Sequence, residues 1–117
     1  MEEVPPVSDP PTEFDTYELV VLRAPAGRPE LDSEATEALQ RQHLGHLTAM
    51  KEAGHLKVAG PLDDQPEDSW RGICIYQVGR LDEARRLAES DPAVRAGRLR
   101  VDVMTWYTRK GALEFRG

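Results

Sequence analysis

Between Leu39 and Leu62 the chain reads LQRQHLGHLTAMKEAGHLKVAGPL, and no other stretch restricts the fold as much. Ala35, Leu39, His43, His46, Leu47, Met50 and Ala53 fall on one stripe at the helical period of about 3.6 residues. Glu37, Gln40, Arg41, Thr48, Lys51 and Glu52 lie largely off it. The pattern predicts a helix with one face turned inward, capped at Ser33, with Glu34 and Glu37 in the first turn where the helix dipole favours acids. It ends near Ala53, because Gly54 suits the left-handed residue that closes a helix. His55 to Gly60 reads as a short strand stopped by Pro61, which has no N–H to donate to a ladder. Two imidazoles, His43 and His46, thus occupy positions where core residues belong.

The remaining elements follow from periodicity and punctuation. Tyr17 to Arg23 is aliphatic and β-branched, with Leu19 to Leu22 apolar on both faces, the mark of a central strand covered on both sides. Residues 24–32 form a Pro- and Gly-rich loop, and residues 63–69 an acidic exposed one. Trp70 to Val78 is a third strand, again apolar on both faces. Gly79-Arg80 turns the chain into a second helix from about Leu81, with Ala84, Leu87 and Ala88 inward. Pro92 ends or restarts that helix, Ala93 to Gly97 is a short helical piece, and Leu99 to Thr108 is a fourth strand. The order β-α-β-β-α-β predicts an α+β, ferredoxin-like fold: a four-stranded antiparallel sheet with two helices on one face. The first and third strands are central in that topology, so the second sheet face also needs cover. A body this small has no element left for the purpose, and a second copy packed sheet to sheet, a homodimer, is the simplest solution.

Length fits one domain, with an acidic, Pro-rich extension at 1–14, a body at 15–110 and a polar tail at 111–117. The net charge is −6, and residues 1–14 hold four acids and no base. The body is therefore near neutral and lacks the cationic stripe that nucleic acid or an anionic membrane surface requires. No run approaches the length of a membrane span, and no basic-then-apolar N-terminus marks a secretory signal, so a cytoplasmic setting is expected. The single cysteine, Cys74, excludes an internal disulfide and a multi-cysteine zinc site, and its apolar surroundings suggest a buried, inert thiol.

The ordered set Arg41-x-His43-Leu44-x-x-Leu47, Gly54, Gly60-Pro61-Leu62, Gly72, Glu83-Ala84-Arg85, Ser90-Asp91-Pro92 and Trp106 resembles the YCII-related family over roughly residues 17–108. The resemblance implies a ferredoxin-like fold, a face-to-face dimer forming an α+β barrel, and a pocket that uses the histidine of the HL motif with the aspartate of the DP motif. One enzyme type in the family eliminates chloride from a chlorinated hydroxyquinol. The chain departs from the pattern in carrying Thr105 before Trp106, where proline is frequent, and in its extension and its 24–32 loop.

His43 is the first candidate for chemistry, since an imidazole near pKa ~6.5 can give or take a proton at neutral pH. Spacing alone favours a buried neutral histidine satisfied by a backbone group; the resemblance reverses that balance towards the catalytic role. Asp91 is in phase with Ala84, Leu87 and Ala88 and can orient the imidazole, while Asp-Pro is also a strong helix start. Both roles fit one carboxylate, one oxygen to each. His46 is expected to line the pocket; a metal shared by His43, His46 and His55 lacks a completing acid or cysteine, so no metal and no cofactor are expected. Gly60 and Pro61 mark the pocket edge, Gly60 allowing close backbone approach, and Trp106 can supply an aromatic wall. Arg41 and Arg85 read as surface or interface residues, although an arginine near the mouth could attract an anionic substrate. Two readings follow. One is an enzyme, a dehydrochlorinase-like lyase or an isomerase, acting through His43 and Asp91 on a small cyclic or aromatic substrate. The alternative is a non-catalytic small-molecule-binding or regulatory module on the same dimeric fold. A weaker third is an assembly protein whose acidic extension engages a partner.

Overall fold

A computed structural model describes residues 13–116 of the chain. The elements are β1 (Phe14–Arg23), α1 (Ser33–Glu52), β2 (Leu56–Pro61), β3 (Trp70–Tyr76), α2 (Leu81–Glu89), α3 (Pro92–Arg95) and β4 (Arg100–Arg109). The strands pair antiparallel in the order β2-β3-β1-β4, with the two doubly apolar strands in the middle. This is the α+β, ferredoxin-like fold expected from the sequence.

Alternation along the strands sends Val20, Leu22, Cys74, Tyr76, Val101 and Val103 to the helix side, where they join Leu56 and the Ala84, Leu87 and Ala88 of α2 in the core. The opposite face carries Leu19, Val21, Ile73 and Ile75, paired as Leu19 with Ile75 and Val21 with Ile73. Val58 beside Ile75 and Met104 beside Leu19 extend this apolar strip and are exposed. Glu18 is an acid that the hydrophobic pattern hides. It is 2% exposed, and its carboxylate accepts the Val78 N–H at 2.8 Å, tying down the turn into α2.

Three boundaries differ from the expected ones. β1 begins at Phe14, a residue assigned to the extension, because Phe14 to Thr16 pair with Arg109 to Tyr107 of β4. That polar stretch has no alternation of its own; the partner strand defines it. The cap of α1 is Asp32, not Ser33, its carboxylate accepting the Ala35 N–H at 2.7 Å. The tail is not free of the body: Phe115 meets Tyr17 edge-on at 5.9 Å, and the Gly111 N–H donates to the Asp15 carboxylate at 2.8 Å. The rest of the acidic extension lies outside the described residues.

The pairing of β1 with β3 contains a bulge. Leu22 faces Gly72 and Arg23 faces Trp70, so Arg71 is an extra residue with no partner on β1. The two helices also sit differently. α2 packs on β1 and β4 and buries three residues, whereas α1 leans on β2 and α3 and buries none.

Candidate active site

α1 stands off the sheet, and the space beneath it is a cavity of about 380 Å³. Leu39, His43, Leu44 and Leu47 of α1 form its roof; Leu22, Ile73 and Cys74 come from the sheet, Gly60 and Pro61 from β2, and Ala93 and Leu99 from the α3 region. Gly60 and Pro61 are thus among the lining residues. The close backbone approach belongs to a different glycine. A Cβ on Gly72 would lie 3.0 Å from the Gly60 carbonyl oxygen, while one on Gly60 would meet nothing within 4 Å.

His43 Nδ1 and an Asp91 carboxylate oxygen are 2.5 Å apart, across 48 residues of chain. Asp91 is the N-cap of α3 with Pro92 at the first helical position, and its other oxygen accepts the Ala93 N–H at 2.9 Å. Local sequence therefore explains the aspartate's position: Asp-Pro starts the helix, and the cap aims the second oxygen at α1. At 1% exposure this carboxylate is shielded from water. An ionised carboxylate only accepts, so Nδ1 carries the proton and the Nε2 lone pair is left for a molecule in the cavity. If Nε2 takes a proton, Asp91 steadies the imidazolium.

The other site residues distribute unevenly. His46 is absent from the cavity lining. Its Nε2 is buried without a hydrogen-bond partner among the described residues. Burial lowers its pKa, with His43 adding to the effect and Asp91 opposing it, so the ring is held neutral. Trp106 does not reach the cavity either. Val101 and Val103 take the helix side of β4, so alternation places Trp106 on the opposite sheet face, tilted against Tyr17 at 6.2 Å. Arg41 and Arg85 are exposed and off the lining, and His55 also lies outside it. Among the described residues no three His, Cys, Asp or Glu side chains are grouped to hold a metal. Cys74 does line the cavity, but burial and then the Asp91 charge push its thiol pKa up to about 12, so it stays protonated. Tyr76 is raised in the same way by burial, Cys74 and Asp91.

The cavity also contains Thr36, Gln40 and three arginines, Arg28, Arg71 and Arg98, that sequence reasoning did not single out. Arg28 and Arg98 sit in loops without periodicity. The bulge at Arg71 is a property of strand register, which appears only on pairing.

A four-stranded ferredoxin-like sheet with a histidine–aspartate pair at the wall of a cavity defines a small α+β protein. The chain belongs to the YCII-related domain family, whose model matches residues 18–107. It is similar in fold to 5-chloro-2-hydroxyhydroquinone dehydrochlorinase (TftG) from Burkholderia phenoliruptrix AC1100, solved in complex with 2,5-dihydroxybenzoquinone. That likeness has a TM-score of 0.57 at 21% identity and covers 77% of this chain and 92% of the other. No curated protein matches the chain. Among the described residues no helix is long and apolar enough to cross a membrane.

Proposed function

We propose that this protein is a cofactor-independent enzyme in which His43, oriented by Asp91, moves a proton on a small cyclic or aromatic substrate. One observation carries the reading: a single buried carboxylate divides its oxygens between a helix cap and His43 Nδ1 at the wall of a cavity. In an elimination from a halogenated hydroxyquinol the ring reacts as its keto tautomer, with the halogen on a tetrahedral carbon, and Nε2 takes the proton of a conjugated ring hydroxyl. The O–H electron pair becomes the new C=O bond, the ring double bond moves onto the halogen-bearing carbon, and the halide departs with its own bonding pair. In an isomerisation the same imidazole moves a proton from one carbon to another. The structural neighbour is a dehydrochlorinase, which supports elimination as the first reaction to assay. A positioned acid–base group contributes about 10²–10⁴-fold to rate. His43→Ala and Asp91→Asn should therefore each lower turnover by that order. The test pairs turnover of halogenated hydroxyquinols with NMR titration of the His43 ring. A ring whose pKa ignores added ligand, together with unchanged turnover in His43→Ala, would sink the proposal.

The same cavity also suits a binding module in which His43 only donates or accepts a hydrogen bond. A ligand that shifts the melting temperature and is recovered unchanged after long incubation selects that reading. For the quaternary state, we infer that a second copy covers the strip of Leu19, Val21, Ile73, Ile75, Val58 and Met104, closing a dimeric α+β barrel. A monomeric mass by light scattering at micromolar concentration contradicts it.

A further inference from the structure

We propose that the cavity beneath α1 selects a ring compound bearing a carboxylate, which docks on Arg28, Arg71 and Arg98 while the ring lies against the leucines of α1. The inference rests on the cavity being the substrate site and names the chemical class it would take.

The three arginines come from three separate segments: the loop after β1, the bulge of β3, and the connection from α3 to β4. No aspartate or glutamate lines the cavity with them. This cationic pocket sits in a chain of net charge −6, so the sign of the site opposes that of the whole. The one acid behind the wall, Asp91, has its two oxygens on His43 and on the Ala93 N–H. Acids do border the shallower depressions alongside, Glu30 near Arg28 and Arg98, and Glu67 and Asp68 near Arg28 and Arg71. Glu67 is engaged with Arg23. Among the described residues, the salt bridges leave out Arg28, Arg71 and Arg98 altogether. Arg98 is steadied instead by donating to the Pro29 carbonyl at 2.5 Å.

Arg71 carries the strongest signal. Regular alternation would place residue 71 with Ile73 and Ile75 on the far side of the sheet. Arg71 is the extra residue of β3, released from that alternation, and it borders the cavity. Its Nε is buried and has no hydrogen-bond partner among the described residues. A buried, charged donor left unpaired is costly and rare, and it points to an acceptor that arrives from outside. The planar fork of a guanidinium matches the two oxygens of a carboxylate. The leucines of the lining, Leu22, Leu39, Leu44, Leu47 and Leu99, offer a ring apolar contact.

The test uses the full chain and calorimetric titration with benzoate, with its uncharged isostere benzamide, and with inorganic phosphate. Benzoate should bind at least tenfold more tightly than benzamide and more tightly than phosphate. Arg71→Gln should weaken benzoate at least tenfold and leave benzamide unchanged, with the His43–Asp91 resonances preserved as proof of fold. Arg98→Gln is the second variant should Arg71→Gln fail to fold. Equal affinity for benzoate and benzamide, no benzoate binding at millimolar concentration, or benzoate affinity indifferent to either arginine overturns the proposal. Tighter binding of phosphate overturns the choice of a carboxylate. The two ideas fail separately: turnover that survives in His43→Ala removes the acid–base reading and leaves anion selection intact. Turnover lost with His43 but blind to substrate charge removes only the anion selection.

Discussion

The two long helices of this protein contradict the usual relation between length and burial. α2 has nine residues and buries Ala84, Leu87 and Ala88; α1 has twenty and buries none. α2 is packed on β1 and β4, at the part of the sheet where the core is thickest. α1 touches β2 and α3 and leaves a cavity between its inward stripe and the sheet. The short helix supplies cohesion, and the long one supplies a wall. Apolar groups facing a void forgo the dispersion contacts that close packing gives, so the stripe on α1 contributes less than its composition suggests. A helix held this way needs other fixings. Asp32 caps it, Leu47 and Met50 reach the edge of the core, and His43 is bound to Asp91.

The contrast is sharpest under truncation. Leu87→Ala should cost about 2–4 kcal/mol, the usual range for a buried leucine, whereas Leu39→Ala on the cavity roof should cost about 1 kcal/mol. Urea unfolding with unchanged m-values measures both, and equal costs would erase the distinction. Asp91→Ala comes next. It removes the cap of α3 and the anchor of α1 together, for about 1–3 kcal/mol, while Asp91→Asn keeps a capping oxygen and should cost less. A smaller effect follows from pH. Burial depresses the pKa of His46, so its contribution to stability is complete above the unfolded value of about 6.5 and is lost as pH falls below it. Unfolding midpoints at about pH 7.5 and 5.5 should differ more in the parent than in His46→Gln. The weakest signal concerns Cys74. Burial pushes its folded pKa up to about 12 from the ordinary 9.0, so its contribution is present below about 9 and is lost as pH rises towards 12. Folded protein at about pH 8 should resist iodoacetamide, and unfolded protein should react.

What the sequence discloses divides along the same line. Strands apolar on both faces announced β1 and β3 as central, and periodicity found α2 with its inward residues, because there the pattern and the packing coincide. The pairing of Asp91 with His43 was only suggested, by the phase of Asp91 with α2 and by the family resemblance, because a contact across 48 residues depends on how α3 docks on α1. α1 misled more. Its stripe is real, but a stripe reports which face turns inward and not whether anything meets it. Trp106 and Arg71 were hidden for one reason. Which side of a sheet a residue faces depends on register, and register is set by partners distant in the chain. The bulge at Arg71 interrupts that parity, and β4 alternation sends Trp106 to the far side.

The bond between His43 and Asp91 also has an order in time. The imidazole belongs to the first helix and its carboxylate arrives 48 residues later, on a turn that forms only when Pro92 to Arg95 coil. A nascent chain that has made α1 therefore carries an unpaired His43 until residues 91–95 dock. On the acid–base reading proposed above, a fragment ending before residue 91 keeps the imidazole and lacks the carboxylate that orients it.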